Sequence, residues 1–250
     1  MNDYGLLGRV GIGTPQANPT VEAEMAILLP RACTLHVTRL VCPAPAPEER
    51  LRAYLLGLDS FLAAYDTFRP DVFGFACTGS SYLLGAREED RITGAAAARL
   101  GYPVVTSSHA IVWALQRMNA RRIAVISAYS PAIIQAAAAY WGEQGIDVVR
   151  THRVPLPGAD TRGIYELASA RVSEALRVLP PDGIDAVLVS GTGLASLPAL
   201  REQDFGVPVV SSNVCLAARL LDLLGHSDLL EGATPFIRGW QQRLAEAQAR

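Results

Sequence analysis

The chain has 250 residues, half of them hydrophobic and 18% charged, with a formal net charge of −2. That length suits one large domain or two small lobes sharing an interface, and the apolar content argues against disorder. No basic patch of the kind nucleic-acid binding requires is visible, and no uninterrupted apolar stretch reaches the ~18 residues of a membrane span, so neither nucleic acid nor membrane is an expected partner.

Met1-Asn2-Asp3-Tyr4 lacks the basic start and apolar core of a signal peptide, which points to a cytoplasmic protein. From there, short β-branched or apolar runs alternate with amphipathic or Ala-rich segments. Arg9–Thr14 reads as a strand, Thr20–Leu29 as a helix, Cys33–Val41 as a strand and Glu48–Phe68 as one long helix. The strand Asp71–Ala76 is followed by helix Glu88–Leu100, strand Pro103–Thr106 and helix Ala110–Met118. The second half repeats the alternation: strand Arg122–Ser127, helix Pro131–Gln144, strand Asp147–Arg153, helix Thr161–Leu179, strand Asp185–Ser190, helix Leu197–Gln203, strand Pro208–Ser211, helix Val214–Leu224 and a last helix at Phe236–Ala249. Alternation of this kind predicts an α/β fold with parallel sheets covered by helices on both faces.

Three segments recur in the same order. Arg9-Val10-Gly11-Ile12-Gly13-Thr14 resembles Arg122-Ile123-Ala124-Val125-Ile126-Ser127, Asp71–Gly79 resembles Asp185–Gly193, and Pro103–His109 resembles Pro208–Val214, at offsets of 113, 114 and 105 residues. A repeat this long reads as duplication of a whole lobe. The expected division is residues 1–115 plus 220–250 for one lobe and 116–219 for the other. Ligands of open parallel sheets bind beyond the carboxyl ends of the strands. There the two copies differ: one strand runs into Cys77-Thr78-Gly79-Ser80-Ser81, the other into Gly191-Thr192-Gly193.

Every one of the 22 basic residues is arginine. Without lysine there is no Schiff-base partner for pyridoxal phosphate, no Walker A loop and no lysine nucleophile. The small residues after each strand leave backbone N–H groups free to receive an anion such as a carboxylate, or serve simply as helix N-caps. Cys77, at a strand end where a helix begins, is expected to have a lowered thiol pKa and to act as nucleophile or proton carrier; the plainer alternative is a small buried hydrophobe. Cys33 and Cys42 read as structural, and Cys215 follows a turn of the expected cleft. The four cysteines match no zinc pattern and the histidines, His36, His109, His152 and His226, form no metal site. No Gly-x-Ser-x-Gly elbow is present.

Gly11–Glu22, Ala76-Cys77-Thr78-Gly79-Ser80, Ser127-Ala128-Tyr129 and Pro208–Asn213 resemble the aspartate/glutamate racemase superfamily, and within it the maleate cis-trans isomerases and arylmalonate decarboxylases. The resemblance covers nearly the whole chain. It implies two pseudo-symmetric lobes around one cleft, a cofactor-independent enzyme and a small dicarboxylate substrate; a homo-oligomer is compatible with it. It further implies Cys77 as the catalytic residue and Pro15, Asn18, Thr78, Gly79, Tyr129, Gly191 and Thr192 as substrate-binding residues. Family racemases and isomerases carry a cysteine on each lobe, and here the second is replaced by Gly191. The segment Val154–Asp160 is shorter than the family's and lacks its usual asparagine. A two-base racemase needs both thiols, whereas decarboxylation needs one acid to protonate an enediolate. A malonate-type decarboxylase is therefore the expected activity, with maleate-type or racemase-type isomerisation as the alternative and a non-catalytic carboxylate binder as a third.

Overall fold

All eight expected strands form, and they form two sheets. The computed structural model describes residues 3–156, 158, 160–202 and 204–249. The first half contains β1 (Gly8–Pro15), α1 (Thr20–Leu28), β2 (Cys33–Leu40), α2 (Pro47–Leu56), α3 (Leu58–Ala63), β3 (Val72–Phe75), α4 (Thr78–Leu84), α5 (Ala86–Leu100), β4 (Val104–Thr106) and α6 (Ser107–Arg117). The second contains β5 (Arg122–Ser127), α7 (Pro131–Glu143), β6 (Asp147–Arg153), α8 (Ala170–Val178), β7 (Ala186–Ser190), α9 (Leu197–Glu202), β8 (Val209–Ser211), α10 (Ser212–Leu223) and α11 (Trp240–Gln248). Single 3-10 turns span Thr161–Glu166 and Ser227–Leu229.

The sheets have strand orders β2-β1-β3-β4 and β6-β5-β7-β8, each pair parallel. These are one topology written twice, as the sequence repeat implied. β3 and β7 are buried along their whole length, as their uninterrupted apolar character requires of strands covered on both faces.

Local chemistry explains where elements depart from expectation. The long helix over Glu48–Phe68 breaks at Gly57 into α2 and α3, and Asp66 turns the chain away with φ 51°. Thr161–Leu179 divides too: the 3-10 turn is capped by Asp160, whose carboxylate accepts from Arg162 N–H at 2.9 Å, and α8 starts only at Ala170. The last helix starts at Trp240 because Gly239 is left-handed, φ 75°. A helix was expected to begin at Cys77 but was given no bounds, since Thr-Gly-Ser-Ser has weak helical propensity; it forms as α4, with all four of these residues buried. Gln203, the expected end of α9, lies outside the described residues, as do Pro157 and Ala159 of the short 154–160 segment.

Helices cross between the lobes. α10 follows β8 of the second sheet but lies on the first, where Leu216 and Leu220 approach Gly74 of β3 so closely that a Cβ there would meet their methyls at 3.2 Å. The expected lobe boundary at 219/220 falls inside this helix. α4 leaves the first sheet and packs on α7 of the second through Tyr82, whose ring centroid lies 5.4 Å from that of Trp141 and 5.6 Å from that of Tyr140. Trp141 and Tyr140 are fully buried, and apolar burial of such rings supplies about 1.5–3 kcal/mol each. α11 returns to α1, where Arg243 donates to the carbonyls of Ile27 and Leu28 at the helix end. No helix among the described residues is long and apolar enough to cross a membrane.

Candidate functional site

The β3 and β7 loops meet where the two sheets face each other. β3 ends at Phe75, and Ala76 is held by its N–H on Gly13 O at 2.7 Å. Thr192, from the equivalent loop of the other lobe, donates its hydroxyl to Ala76 O at 2.8 Å and accepts from Asn18 Nδ2 at 3.3 Å. The residues before Cys77 and after Gly191 are thus tied directly, with Asn18 completing the link from the β1 loop.

Cys77 caps α4 with an extended backbone (φ −153°, ψ 100°) and is 2% exposed. Ser80 Oγ donates to its sulfur at 3.2 Å, and the N–H groups of Ser80 and Gly79 also turn towards it. Burial nevertheless outweighs these donors and pushes the thiol above its usual value. The expectation of a lowered thiol pKa is therefore corrected: the helix that begins here is short, and loss of water dominates. Cys77 is a neutral thiol at pH 7, suited to giving a proton.

Tyr129 stands between the loops. Its hydroxyl shares a 3.0 Å hydrogen bond with Thr78 Oγ1, and a Cβ on Gly79 would lie 3.3 Å from the same oxygen. On its other side, a Cβ on Gly191 would meet the Tyr129 ring at 3.8 Å. The Gly191 position therefore looks onto the same phenol as Thr78 and Gly79. Behind the ring, between Ser127, Ile134, Trp141 and Ser190, there is about 10 Å³, near the least that holds one water, so the ring is backed. Burial pushes the Tyr129 hydroxyl up, and it stays a neutral donor.

Gly191 has φ +120°, a backbone that side-chain-bearing residues rarely adopt, whereas Cys77 does not. The two strand ends are equivalent in topology and different in conformation. Pro15 closes β1, buried, and accepts from Asn18 N–H at 2.9 Å, which orients the Asn18 loop. All eight residues singled out from sequence thus lie on the β1, β3, β5 and β7 loops at one edge of the two sheets.

Other residues around these loops carried no local signal. Tyr165, in the 3-10 turn, lies on Gly193 so closely that a Cβ there would come within 2.5 Å of its ring. Tyr54 of α2 and Tyr165 lie near Cys77, and burial pushes both of their hydroxyls up. Arg50, buried in α2, donates to Ala44 O and Pro45 O and pairs with Asp160 at 2.8 Å, bridging the loops after β2 and β6 from opposite lobes. Arg39 Nη1 donates to Asn18 O at 2.9 Å, and Arg153 Nε donates to Tyr129 O at 3.1 Å. These two occupy matching positions, opposite Thr14 in β2 and opposite Ser127 in β6. Their separation, 153 − 39 = 114 residues, is the repeat offset, so comparing the copies residue by residue would have found them. A surface hollow of about 410 Å³ between Leu200, Phe205, Phe236 and Trp240 is far larger, but it presents no thiol or hydroxyl side chain.

Two duplicated lobes, four parallel strands each, with a thiol-bearing loop facing its counterpart, define an α/β protein of the aspartate/glutamate racemase-like class. The chain belongs to the arylmalonate decarboxylase family, whose model matches residues 70–237. It is 27% identical to the maleate isomerase of Pseudomonas putida over 248 residues, covering 93% of this chain and 98% of that protein. It is 29% identical to the arylmalonate decarboxylase of Bordetella bronchiseptica over 143 residues, 54% of this chain and 58% of that protein. A cysteine-to-serine mutant of the Nocardia farcinica maleate cis-trans isomerase, solved with a covalently bound succinylcysteine intermediate, superposes with a TM-score of 0.78 at 27% identity, covering 87% of this chain and 92% of that one.

Proposed function

We propose that the protein is a cofactor-free decarboxylase of a malonate-type dicarboxylate, using Cys77 as its one proton donor. The observation that carries this reading is the asymmetry around Tyr129: a buried neutral thiol on one lobe, and on the other a glycine whose backbone disfavours any side chain. One substrate carboxylate would lie against Thr78, Gly79, Tyr129 and Thr192. The other, towards Tyr54 and Tyr165, would leave as carbon dioxide, the electron pair of its broken C–C bond passing into the enediolate held by those donors. The α-carbon then takes the Cys77 proton, and the thiolate regains one from water. Protonation from one lobe only gives product of one hand.

Maleate-type isomerisation is the second reading, favoured by relatives named maleate isomerase that match nearly the full chain. In that reading Cys77 adds to the double bond as a thiolate, a form that its burial opposes. Two assays separate them: carbon dioxide release from phenylmalonate, and loss of maleate absorbance. Decarboxylation with incorporation of one solvent deuterium, slowed at least about a hundredfold in Cys77→Ala, supports the first reading. Fumarate formation without carbon dioxide release overturns it, and a dicarboxylate-induced rise in Tm without any turnover points to a binder.

A further inference from the structure

Glu24 is a carboxylate in the middle of α1, 5% exposed, on the helix that follows β1. Every group that it accepts from comes from the second half of the chain. Ser196 N–H reaches Oε1 at 2.7 Å, Leu197 N–H at 3.1 Å and the Ser196 hydroxyl at 3.1 Å, while Asn213 Nδ2 reaches Oε2 at 2.7 Å. Asn213 then donates through the same nitrogen to Thr192 O at 3.0 Å. The chain of contacts runs from a buried carboxyl, which burial pushes up and these donors pull back down, through one amide, to the carbonyl of the β7 loop.

A trans peptide points its C=O and the next N–H in opposite directions. Fixing Thr192 O on Asn213 therefore fixes Gly193 N–H facing away from Asn213 and Glu24. That N–H has no acceptor among the described residues. The Thr192 hydroxyl is already committed to Ala76 O and Asn18, so the peptide plane, not the hydroxyl, is what this loop has left to offer an anion. This loop can meet a carboxylate only if that plane is held.

We propose that Glu24 is a positioning residue: from one lobe, through Asn213, it sets the Thr192–Gly193 peptide of the other lobe for binding a substrate carboxylate. It touches no reacting atom. The ligand in this inference rests on the dicarboxylate reading above, while the positioning does not. A buried carboxylate also stands behind the other loop, where Glu89 accepts from Ser81, Thr106 and Tyr140, so α4 is held independently of Glu24.

The test compares wild type, Glu24→Gln and Asn213→Ala by hydrogen exchange and by calorimetric titration with malonate. Gln at 24 presents an N–H₂ where Asn213 donates, breaking the bridge; Asn213→Ala cuts the bridge while leaving Ser196 and Leu197 on Glu24. It remains informative should Glu24→Gln fail to fold. Both variants are expected to speed exchange over residues 191–197 while leaving 78–84 unchanged. Malonate should bind roughly ten- to hundredfold more weakly, as for loss of a hydrogen bond to a charged group. For turnover of phenylmalonate, KM should rise more than kcat falls. Unchanged exchange over 191–197 in Asn213→Ala, or exchange rising equally at both loops, overturns the inference. If wild type binds no dicarboxylate but exchange still responds at 191–197 alone, the positioning stands and the dicarboxylate reading fails.

Discussion

Cys77 combines two properties that sequence reading set against each other: it is buried like a structural cysteine and also meets the polar Thr-Gly-Ser-Ser run. Because burial raises its pKa, the form needed for proton donation is populated throughout the neutral range. The expected pH profile is flat through neutrality and falls only on the alkaline side, beyond the ordinary thiol value of 9.0. A nucleophilic thiolate would instead gain activity as pH rises, so the profile of kcat/KM separates the two roles. Replacing Cys77 with alanine should lower the rate roughly a hundred- to ten-thousandfold, the usual worth of a general acid. Gly191 supplies the complementary test. At φ +120° an alanine or cysteine is strained, at a cost of about 1–3 kcal/mol. Gly191→Cys should therefore lower Tm, and regaining a second thiol requires the loop to rearrange as well as the residue to change. A variant as stable as wild type would contradict the assigned backbone.

Among elements, the 3-10 turn Thr161–Glu166 brings Tyr165 onto Gly193, and Asp160 holds that turn. The Arg162 side chain first, then its N–H and the Arg50 charge, hold the Asp160 carboxyl down at about 2 against an ordinary 3.8. A depressed acid stabilises where it is ionised: the contribution is complete above the ordinary value and is lost as pH falls from there towards 2. Asp160 is partly exposed, so water screens part of this effect. Asp160→Asn at neutral pH should reproduce the acid behaviour locally, with faster hydrogen exchange over 160–166 and no change in the sheets. α4 offers the contrast. Its sequence argues against a helix, and it forms because Tyr82 must reach Trp141 and Ser190 across the lobe interface.

For the molecule, the lobes are interleaved: α10 lies on the first sheet, α4 on α7, and Glu24 and Tyr140 reach buried partners across the interface. The buried residues of both halves form one hydrophobic cluster. Heat unfolding should therefore appear as one calorimetric transition, with matching calorimetric and van't Hoff enthalpies. Two resolved transitions would show that the lobes are independent.

How much of this was legible in the sequence follows from the range of each interaction. The eight strands, the duplication and the Cys77/Gly191 difference are local patterns, set by apolar runs and by which small residues follow them, and they could be read directly. Pro15, Asn18, Thr78, Gly79, Tyr129 and Thr192 could be assigned to the strand-end loops as well, through the resemblance of their segments to the family. The thiol's raised pKa, the left-handed Gly191, the placing of Tyr54 and Tyr165 near Cys77, and the Glu24–Asn213–Thr192 bridge could not. Each depends on groups tens to nearly two hundred positions apart, brought together only when one lobe closes on the other. Local pattern determined which residues stand at the strand ends; burial between the lobes decided their protonation, their backbone and their partners.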